Sequence, residues 1–261
     1  MKRINWFHIA GILLGGLLLL LIIGPLLSIF LNTSMQNLFV TAGEAEVRDS
    51  ITRTLGISFA ATLVCAIAGI PFAWLIARKS FPGKKIITLI IDLPIVIPHS
   101  AAGIAILGFI SRDTWVGKIA EAAGIDFIGH PAGIAFAMAF VSVPFLINAA
   151  RDGFASVPER LEKTALNLGA SPFRVFMTIS LPLAWRNIVS GLVLMFGRGM
   201  SEFGAVVIVA YHPMITPVLI YERFVTFGLK YAQPVSVLFI IICLLVFAMI
   251  RLLSQKQEIQ R

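Results

Sequence analysis

Long runs of apolar residues recur along the chain, and short segments that carry most of its charge separate them. Each run is close to the ~20 residues that a helix needs to cross the hydrocarbon core of a bilayer. The pattern therefore predicts an all-α membrane protein with about six transmembrane helices. Their expected bounds are Ile9–Leu31, Leu55–Ala77, Ile86–Ile110, Gly133–Ala150, Ile188–Ala210 and Pro234–Leu253.

The composition agrees with a membrane protein and argues against a soluble enzyme. Hydrophobic residues make up 58% of the chain and charged residues 13%, with a mean hydropathy of +0.94. Soluble domains carry about 25% charged residues. The formal net charge is +8, but the basic residues lie between the apolar runs rather than on one helix face. Membrane topology explains them better than nucleic-acid binding does.

The distribution of Lys and Arg predicts the orientation in the membrane. Successive connecting segments lie on alternate sides of the membrane, and most of the Lys and Arg residues fall in those of one side. Most of the acidic residues outside the spans fall in the segments of the other side. Both termini are therefore expected in the cytoplasm. The first apolar run is too long for a signal peptide, and we interpret it as a retained span. The expected parts are a first helix with an outer loop (1–50), a core (51–253) and a cytoplasmic tail (254–261).

Cysteine and histidine give no sign of a metal site. Cys65 and Cys243 lie inside apolar runs, where a free cysteine usually packs as a small hydrophobic side chain. The histidines are scattered without the spacing of metal ligands. The sequence therefore predicts no metal and no cofactor bound by this chain.

The polar segment between the fourth and fifth predicted spans, at about 151–187, is amphipathic. Pro158, Glu159 and Glu162 suit the first turn of a short helix, and Gly169 suits its C-terminal cap. A second helical stretch is expected to reach Pro182. From the residues alone, this segment is either a connector at the membrane interface or a docking element for a cytoplasmic partner.

The same segment resembles the EAA loop of ABC importer permeases. Gly169, Ile179, Leu181 and Pro182 match the Gly, Ile and Leu-Pro positions of that loop at its spacing. The Glu-Ala-Ala position reads Lys163-Thr164-Ala165, with Glu162 one residue earlier. The general resemblance covers about Ser50–Leu253.

Four further stretches are similar to the same family. Arg78–Lys85 resembles its basic Phe-Pro-Gly turn, and Asp92–Pro98 its Leu-Pro…Pro span. Gly199–Ala205 resembles the Gly-Glu-Phe-Gly-Ala run of the oxyanion branch, which includes molybdate, tungstate and sulfate permeases. Pro217–Arg223 is similar to a segment of molybdate/tungstate permeases.

The resemblance implies a type I ABC importer membrane subunit in the cell membrane. Two copies would form the path for a tetrahedral oxyanion, molybdate or tungstate, with sulfate as the alternative. Two cytoplasmic ATPase subunits would use ATP and Mg²⁺, and an external binding protein would deliver the anion. The sequence has no GxxxxGK[ST] phosphate loop, so ATP hydrolysis is expected on a separate chain.

In such a permease the EAA loop holds the helix that couples to the ATPase. The residues expected at that contact are Glu162, Thr164, Ala165, Gly169, Pro172, Arg174 and Pro182.

Arg198 and Glu202 lie four residues apart within the fifth predicted span, so they share a helix face. Ionisable residues in spans face the bundle interior or a water-filled path. The pair therefore either fixes helix packing or lies on the translocation path. The other residues predicted for a path or gate are Pro94, Pro98, Ser100, Ser201 and Gly204.

Two other classes of protein are less well supported. An intramembrane enzyme needs a set of catalytic or metal-binding residues in its spans, and the sequence contains neither HExxH nor GxSxG. A secondary transporter that works alone usually shows inverted halves and more buried ion-coupling residues, and the spans show no such symmetry.

Overall fold

The computed structural model describes the backbone of residues 6–259 and the side chains of residues 7–249. The regular elements in this part of the chain are all helical. In chain order they are α1 (Trp6–Leu31), α2 (Met35–Gly43), α3 (Ala45–Arg78), α4 (Lys84–Val96), α5 (His99–Ile110), α6 (Trp115–Ala122), α7 (Pro131–Ser156), α8 (Glu159–Asn167), α9 (Pro172–Val175), a π-helical turn (Phe176–Ser180), α10 (Leu181–Met200), α11 (Val206–Val209), α12 (Thr216–Phe227) and α13 (Leu229–Ile259).

Five helices of the described chain are long and apolar enough to cross a membrane. They are α1, α3, α7, the run from α9 to α10, and α13. If the bent pair α4–α5 counts as one span, the described chain has six spans. This confirms the expected all-α fold with about six spans. The predicted tail 254–261 continues α13 as far as Ile259, and residues 260–261 lie outside the described part.

The prediction of one continuous span over Ile86–Ile110 is wrong. The axes of α4 and α5 differ by 115°. Ile97 ends α4 in an extended conformation, and Pro98 precedes α5. The cause is local, because a proline disfavours helical geometry in the residue before it.

The bounds Ile188–Ala210 for the fifth span are also wrong at both ends. The helix α10 ends at Met200, and the segment 201–205 separates it from α11. At the other end, Pro182 does not stop the helix. It lies two residues after the π-helical turn that leads into α10, and one helical run extends from Pro172 to Met200.

Close packing of α7 on α10 forms the centre of the bundle. A Cβ added to Gly191 would lie 2.9 Å from the Cβ of Ala149, and one added to Gly153 would lie 2.6 Å from the Cβ of Asn187. Small residues at such positions let two membrane helices approach closely. One buried apolar cluster around Phe154 covers the α8 end of this pair.

A second buried cluster joins α3, α5, α7, α11 and α12, with Ile106, Ile134 and Leu219 among its members. Polar groups also hold α12 against α3. The hydroxyl of Thr54 accepts a hydrogen bond of 2.8 Å from the backbone N–H of Thr216, and both residues are buried. The end of the bundle opposite α8 is therefore fixed by both apolar and polar contacts.

The helix α1 is different, because none of its most apolar window is buried within the chain. Leu13, Leu17 and Leu21 are each more than 60% exposed. A helix that is hydrophobic on all sides suits a lipid environment.

Candidate functional site

The connection between α7 and α10 contains a short surface helix with a well-defined end. Gly169 follows α8 with φ +88°, and two backbone hydrogen bonds of 3.0 Å close the turn, from Gly169 to Leu166 and from Ala170 to Ala165. This pair of bonds is the Schellman motif, in which a left-handed residue, usually glycine, ends the helix. The expected cap at Gly169 is confirmed.

A second cap restarts the chain after this turn. The Ser171 hydroxyl accepts a hydrogen bond of 3.3 Å from the Arg174 N–H, and Pro172 occupies the first turn of α9. The exposed apolar side chains in this region are those of Leu161, Leu166, Leu168 and Phe173, with Leu168 and Phe173 more than 70% exposed.

The residues predicted for the coupling contact divide by burial. Those on the surface of the chain are Thr164, Gly169, Pro172, Arg174 and Pro182. Ala165 is half-buried and Glu162 is buried. The structure therefore brings most of the predicted set to one exposed connection, while Glu162 points into the fold.

Glu162 is held by groups from two neighbouring elements. The Arg78 Nε lies 3.0 Å from Oε1 and 2.9 Å from Oε2 of Glu162. The Ser180 hydroxyl donates a hydrogen bond of 2.6 Å to Oε1. The Arg78 guanidinium also donates to the Val157 carbonyl at 2.9 Å. The carboxylate is thus satisfied within the chain.

On the exposed side of α8, an ion pair joins Lys163 to Glu159 at 2.8 Å. The hydrogen bond from Lys163, together with its positive charge, lowers the pKa of the Glu159 carboxyl. An exposed pair of this kind adds little stability, so it marks the solvent side of the helix rather than a structural link.

A second polar cluster lies where α5 begins and α10 ends. Arg198 Nη2 is 2.9 Å from Oε2 of Glu202, and His99 Nδ1 is 3.1 Å from the same oxygen. Arg198 Nη2 also lies 2.8 Å from His99 Nε2. Arg198 Nη2 lies 3.0 Å from His99 Nδ1 as well, so the imidazole packs against both charged side chains.

Glu202 also holds the backbone of the segment that leads into α11. Its Oε1 accepts a hydrogen bond of 2.8 Å from the Ala205 N–H, just before α11, and the residue is 1% exposed. Arg198 and Glu202 therefore pair as the spacing predicts, although Glu202 lies beyond the end of α10. Buried charges are tolerated when they are paired and hydrogen-bonded, as Glu202 is.

The other residues predicted for a path or gate lie around the same helix breaks, with one exception. Pro98 precedes α5 and Ser100 is in its first turn. A Cβ added to Gly204 would lie 2.7 Å from the Cβ of His99, and Ser201 lies 3.4 Å from Arg198 Nη1. Pro94 is buried within the last turn of α4.

Sequence reasoning missed three of the residues that complete these clusters: Arg78, His99 and Ser180. Arg78 was visible only as part of a basic turn, and His99 only as a histidine without ligand spacing. Nothing local to Ser180 pointed to Glu162, because their contact spans the turn at Gly169 and the helix α9. A fourth missed link joins Asn148 on α7 to Asp92 on α4 at 2.6 Å.

These features define a class of protein: a helical membrane subunit with a capped surface helix between two spans and a polar cluster at broken helices. Residues 69–259 match the model of the family described as "Binding-protein-dependent transport system inner membrane component". The chain belongs to this family, and it is an inner-membrane permease subunit of a binding-protein-dependent transport system.

Named relatives match over three quarters or more of this chain. The molybdate/tungstate transport system permease protein WtpB of Methanocaldococcus jannaschii is 39% identical, over 95% of this chain and 97% of that protein. The protein of the same name from Pyrococcus abyssi is 40% identical, over 94% of each chain. The sulfate transport system permease protein CysT of Synechocystis is 32% identical, over 76% of this chain and 71% of that protein.

Solved structures with the same fold are membrane subunits of ABC importers. A bacterial ABC transporter involved in the import of the acidic polysaccharide alginate superposes with a TM-score of 0.75 at 17% identity, over 96% of both chains. The MetNI methionine ABC transporter superposes with a TM-score of 0.63 at 15% identity, over 80% of this chain and 93% of that one. The fold is therefore that of a type I ABC importer transmembrane domain.

Proposed function

We propose that this chain forms, as a dimer, the transmembrane path of an ATP-driven importer for molybdate or tungstate. The observation that carries the proposal is the match to permeases of that name at 38–40% identity over at least 94% of both chains. Two copies, two cytoplasmic ATPase subunits and an external oxyanion-binding protein make up the complete transporter. Both termini then face the cytoplasm.

The exposed helix α8 and the cap that follows it suit the contact with the ATPase subunit. The proposed contact residues are Thr164, Ala165, Gly169, Pro172 and Arg174, with the exposed Leu168 and Phe173 as its apolar part. Large apolar side chains on a surface mark interaction sites when they occur together. A surface helix that ends in a glycine cap and is followed by a helix with a proline in its first turn has little local freedom. It therefore transmits displacement as a rigid body.

Glu162 contributes to the same element from its inner side, whereas Pro182 is exposed at the start of α10. The carboxylate of Glu162 is engaged by Arg78 and Ser180, so its proposed role is to fix α8 on the spans rather than to touch the ATPase directly. Pro182 begins the span that follows the π-helical turn.

The polar cluster at the helix breaks suits the path of a dianion. The positive charge of Arg198 is balanced by the carboxylate of Glu202, 2.9 Å away. A path with little net charge neither repels the anion nor traps it. The proposed path residues are Pro98, Ser100, Arg198, Ser201, Glu202 and Gly204, with Pro94 shaping the bend before them.

Sulfate is the second candidate substrate, because the sulfate permeases also match. They do so at 28–35% identity, below the molybdate/tungstate group. A permease that takes its cargo from a binding protein needs no tight anion site of its own, so either cargo is compatible with the path described above.

The test is uptake of oxyanion into vesicles that hold the complex of this chain with its ATPase and binding protein. We expect radiolabelled molybdate or tungstate to accumulate only when ATP is present on the side of the membrane that holds the ATPase subunits. We also expect a hundredfold excess of unlabelled sulfate to leave this uptake unchanged. Uptake that proceeds without ATP would contradict the importer. Uptake of sulfate in preference to molybdate would move the chain to the sulfate branch.

A further inference from the structure

Three buried polar groups from separate elements meet beneath the surface helix α8. The side chains of Arg78 and Glu162 are 7% and 9% exposed, and Ser180 is fully buried. Arg78 is the last residue of α3, Glu162 lies in α8, and Ser180 ends the π-helical turn that leads into α10. We call these three residues the α8 junction.

Stability alone is a weak reason for such a junction. Taking two charges out of water costs about as much as their attraction returns, and apolar replacements of similar volume are often neutral or stabilising. What a bidentate or shared charge pair does provide is a fixed relative geometry. In the α8 junction that geometry relates one surface helix to two spans.

The local backbone supports a mechanical role. The segment Phe176–Ser180 is π-helical, and π-helical turns are rare and concentrate at functional sites. Phe176 from this turn packs against Trp74 of α3 and Phe154 of α7, with ring centroids 5.6 Å and 5.9 Å apart. The polar junction and these aromatic contacts therefore bind the same turn to the surface helix α8 and to two spans, α3 and α7.

We propose that the α8 junction carries movement of α8 into the spans α3 and α10, with Arg78 and Ser180 as positioning residues that act through Glu162. The inference rests on the proposed function, in which α8 docks on the ATPase subunit. It adds that α8 moves as one body with the ends of α3 and α10, because Glu162 is bonded to both. Without the junction, α8 would still dock, but its displacement would be absorbed before it reached the spans.

The experiment compares transport per ATP hydrolysed in the reconstituted complex for Glu162→Gln, Ser180→Ala and Arg78→Gln. Glu162→Gln keeps the side-chain shape and removes the charge, and Ser180→Ala removes one hydrogen bond. The matched control is Arg53→Gln, an arginine on the same helix α3 whose ion pair with Asp49 is exposed. Assembly with the ATPase is measured by co-purification of the full complex.

We expect Glu162→Gln and Ser180→Ala to assemble and to hydrolyse ATP within about twofold of wild type, while uptake per ATP falls by about 3- to 30-fold, the range of mutational effects on coupling between sites. Arg78→Gln leaves the buried Glu162 carboxylate without its counter-charge and is expected to assemble less well. Arg53→Gln is expected to retain the wild-type ratio. Ser180→Ala is expected to show the smallest loss, because the pair of Arg78 and Glu162 remains.

Two results would overturn the proposal. One is a wild-type ratio of uptake to hydrolysis in Glu162→Gln and Ser180→Ala. The other is failure of both variants to assemble with the ATPase, which would show that the junction serves only to fold the loop. Absence of oxyanion uptake by the wild-type complex is a different outcome, because it contradicts the proposed function rather than the junction.

Discussion

Gly204 and His99 pack so closely that the position of Gly204 admits no side chain. A Cβ on Gly204 would lie 2.7 Å from the Cβ of His99 and 3.5 Å from its carbonyl carbon. Contact at this distance seats the first residue of α5 against the segment that follows α10. The bend between α4 and α5 and the break after α10 therefore depend on each other.

The first prediction concerns this contact. Gly204→Ala forces backbone or side-chain shifts and is expected to destabilise the protein by about 1–3 kcal/mol, the usual cost of overpacking. Gly197→Ala is the matched control, because nothing lies within 4 Å of a Cβ at that position of α10. Thermal unfolding of the purified protein in detergent checks both. Equal midpoints for the two variants would contradict the close contact.

The second prediction separates the two roles open to Arg198 and Glu202. Arg198→Met leaves the buried Glu202 without its main counter-charge and is expected to cost about 3–5 kcal/mol. Adding Glu202→Gln removes that charge while keeping an acceptor for the Ala205 N–H. The double variant should therefore be more stable than Arg198→Met by about 0.5–3 kcal/mol.

Uptake by the double variant then shows whether the two residues only fix helix packing or also lie on the translocation path. We expect it to stay well below wild type even where stability returns, because the net charge is unchanged but the path has lost the hydrogen-bond donors of the Arg198 guanidinium. Wild-type uptake by this stable double variant would show that the pair only fixes the packing of the helices.

The third prediction concerns the cap of α8. A β-branched residue at φ +88° is strained by about 1–2 kcal/mol, so Gly169→Val should open the turn. We expect ATP-driven uptake to fall about tenfold, the factor that corresponds to about 1.4 kcal/mol in an equilibrium. Because no atom of this chain lies within 4 Å of a Cβ at Gly169, the effect within the chain is one of backbone conformation and not of crowding.

Two variants control the cap experiment. Gly169→Asn is expected to retain most of the uptake, because asparagine tolerates the left-handed conformation. Gly124→Val places the same strain at another open left-handed glycine, with φ +75°, and is expected to transport normally. Equal losses in Gly169→Val and Gly124→Val would show a general folding defect.

The fourth prediction concerns the contact between α3 and α12. Thr54→Val leaves the buried Thr216 N–H without an acceptor, which costs about 1–3 kcal/mol. Thr54→Ser keeps the acceptor and should cost less. Thr52→Val, two residues away and exposed, is the control and should be nearly neutral. If the free energy of unfolding is the same for Thr54→Val and Thr52→Val, the hydrogen bond is not important for stability.

The features that the sequence predicted well are those that local residues decide. Gly169 ends α8 because only a few residues adopt its backbone conformation easily, and the apolar run lengths are sufficient to count spans. The spacing of Arg198 and Glu202 correctly placed them within reach of each other. Each of these signals lies within a few residues of the feature that it predicts.

The features that the sequence did not predict depend on contacts between distant segments. Arg78 and Glu162 are 84 positions apart, and a basic residue at the end of a span looks the same whether it faces water or a buried carboxylate. Likewise, Pro98 signals a kink, but the 115° angle also depends on how α5 packs against residues 201–205. The end of α10 at Met200 was missed because only two polar residues, Ser201 and Glu202, separate it from the apolar residues that lead into α11.

The π-helical turn also fixes the number of residues in this part of the chain. Each residue of an α-helix turns the chain by about 100°, so deletion of one residue within Phe176–Ser180 would convert the turn to ordinary α-helix and rotate everything before it by about that amount. Val175, which is 2% exposed, would leave its buried position, and the adjoining residues of α9 would swing with it. Single-residue insertions and deletions should therefore be absent from this stretch in working transporters, even though sequence changes at exposed positions such as Met177 and Thr178 are acceptable.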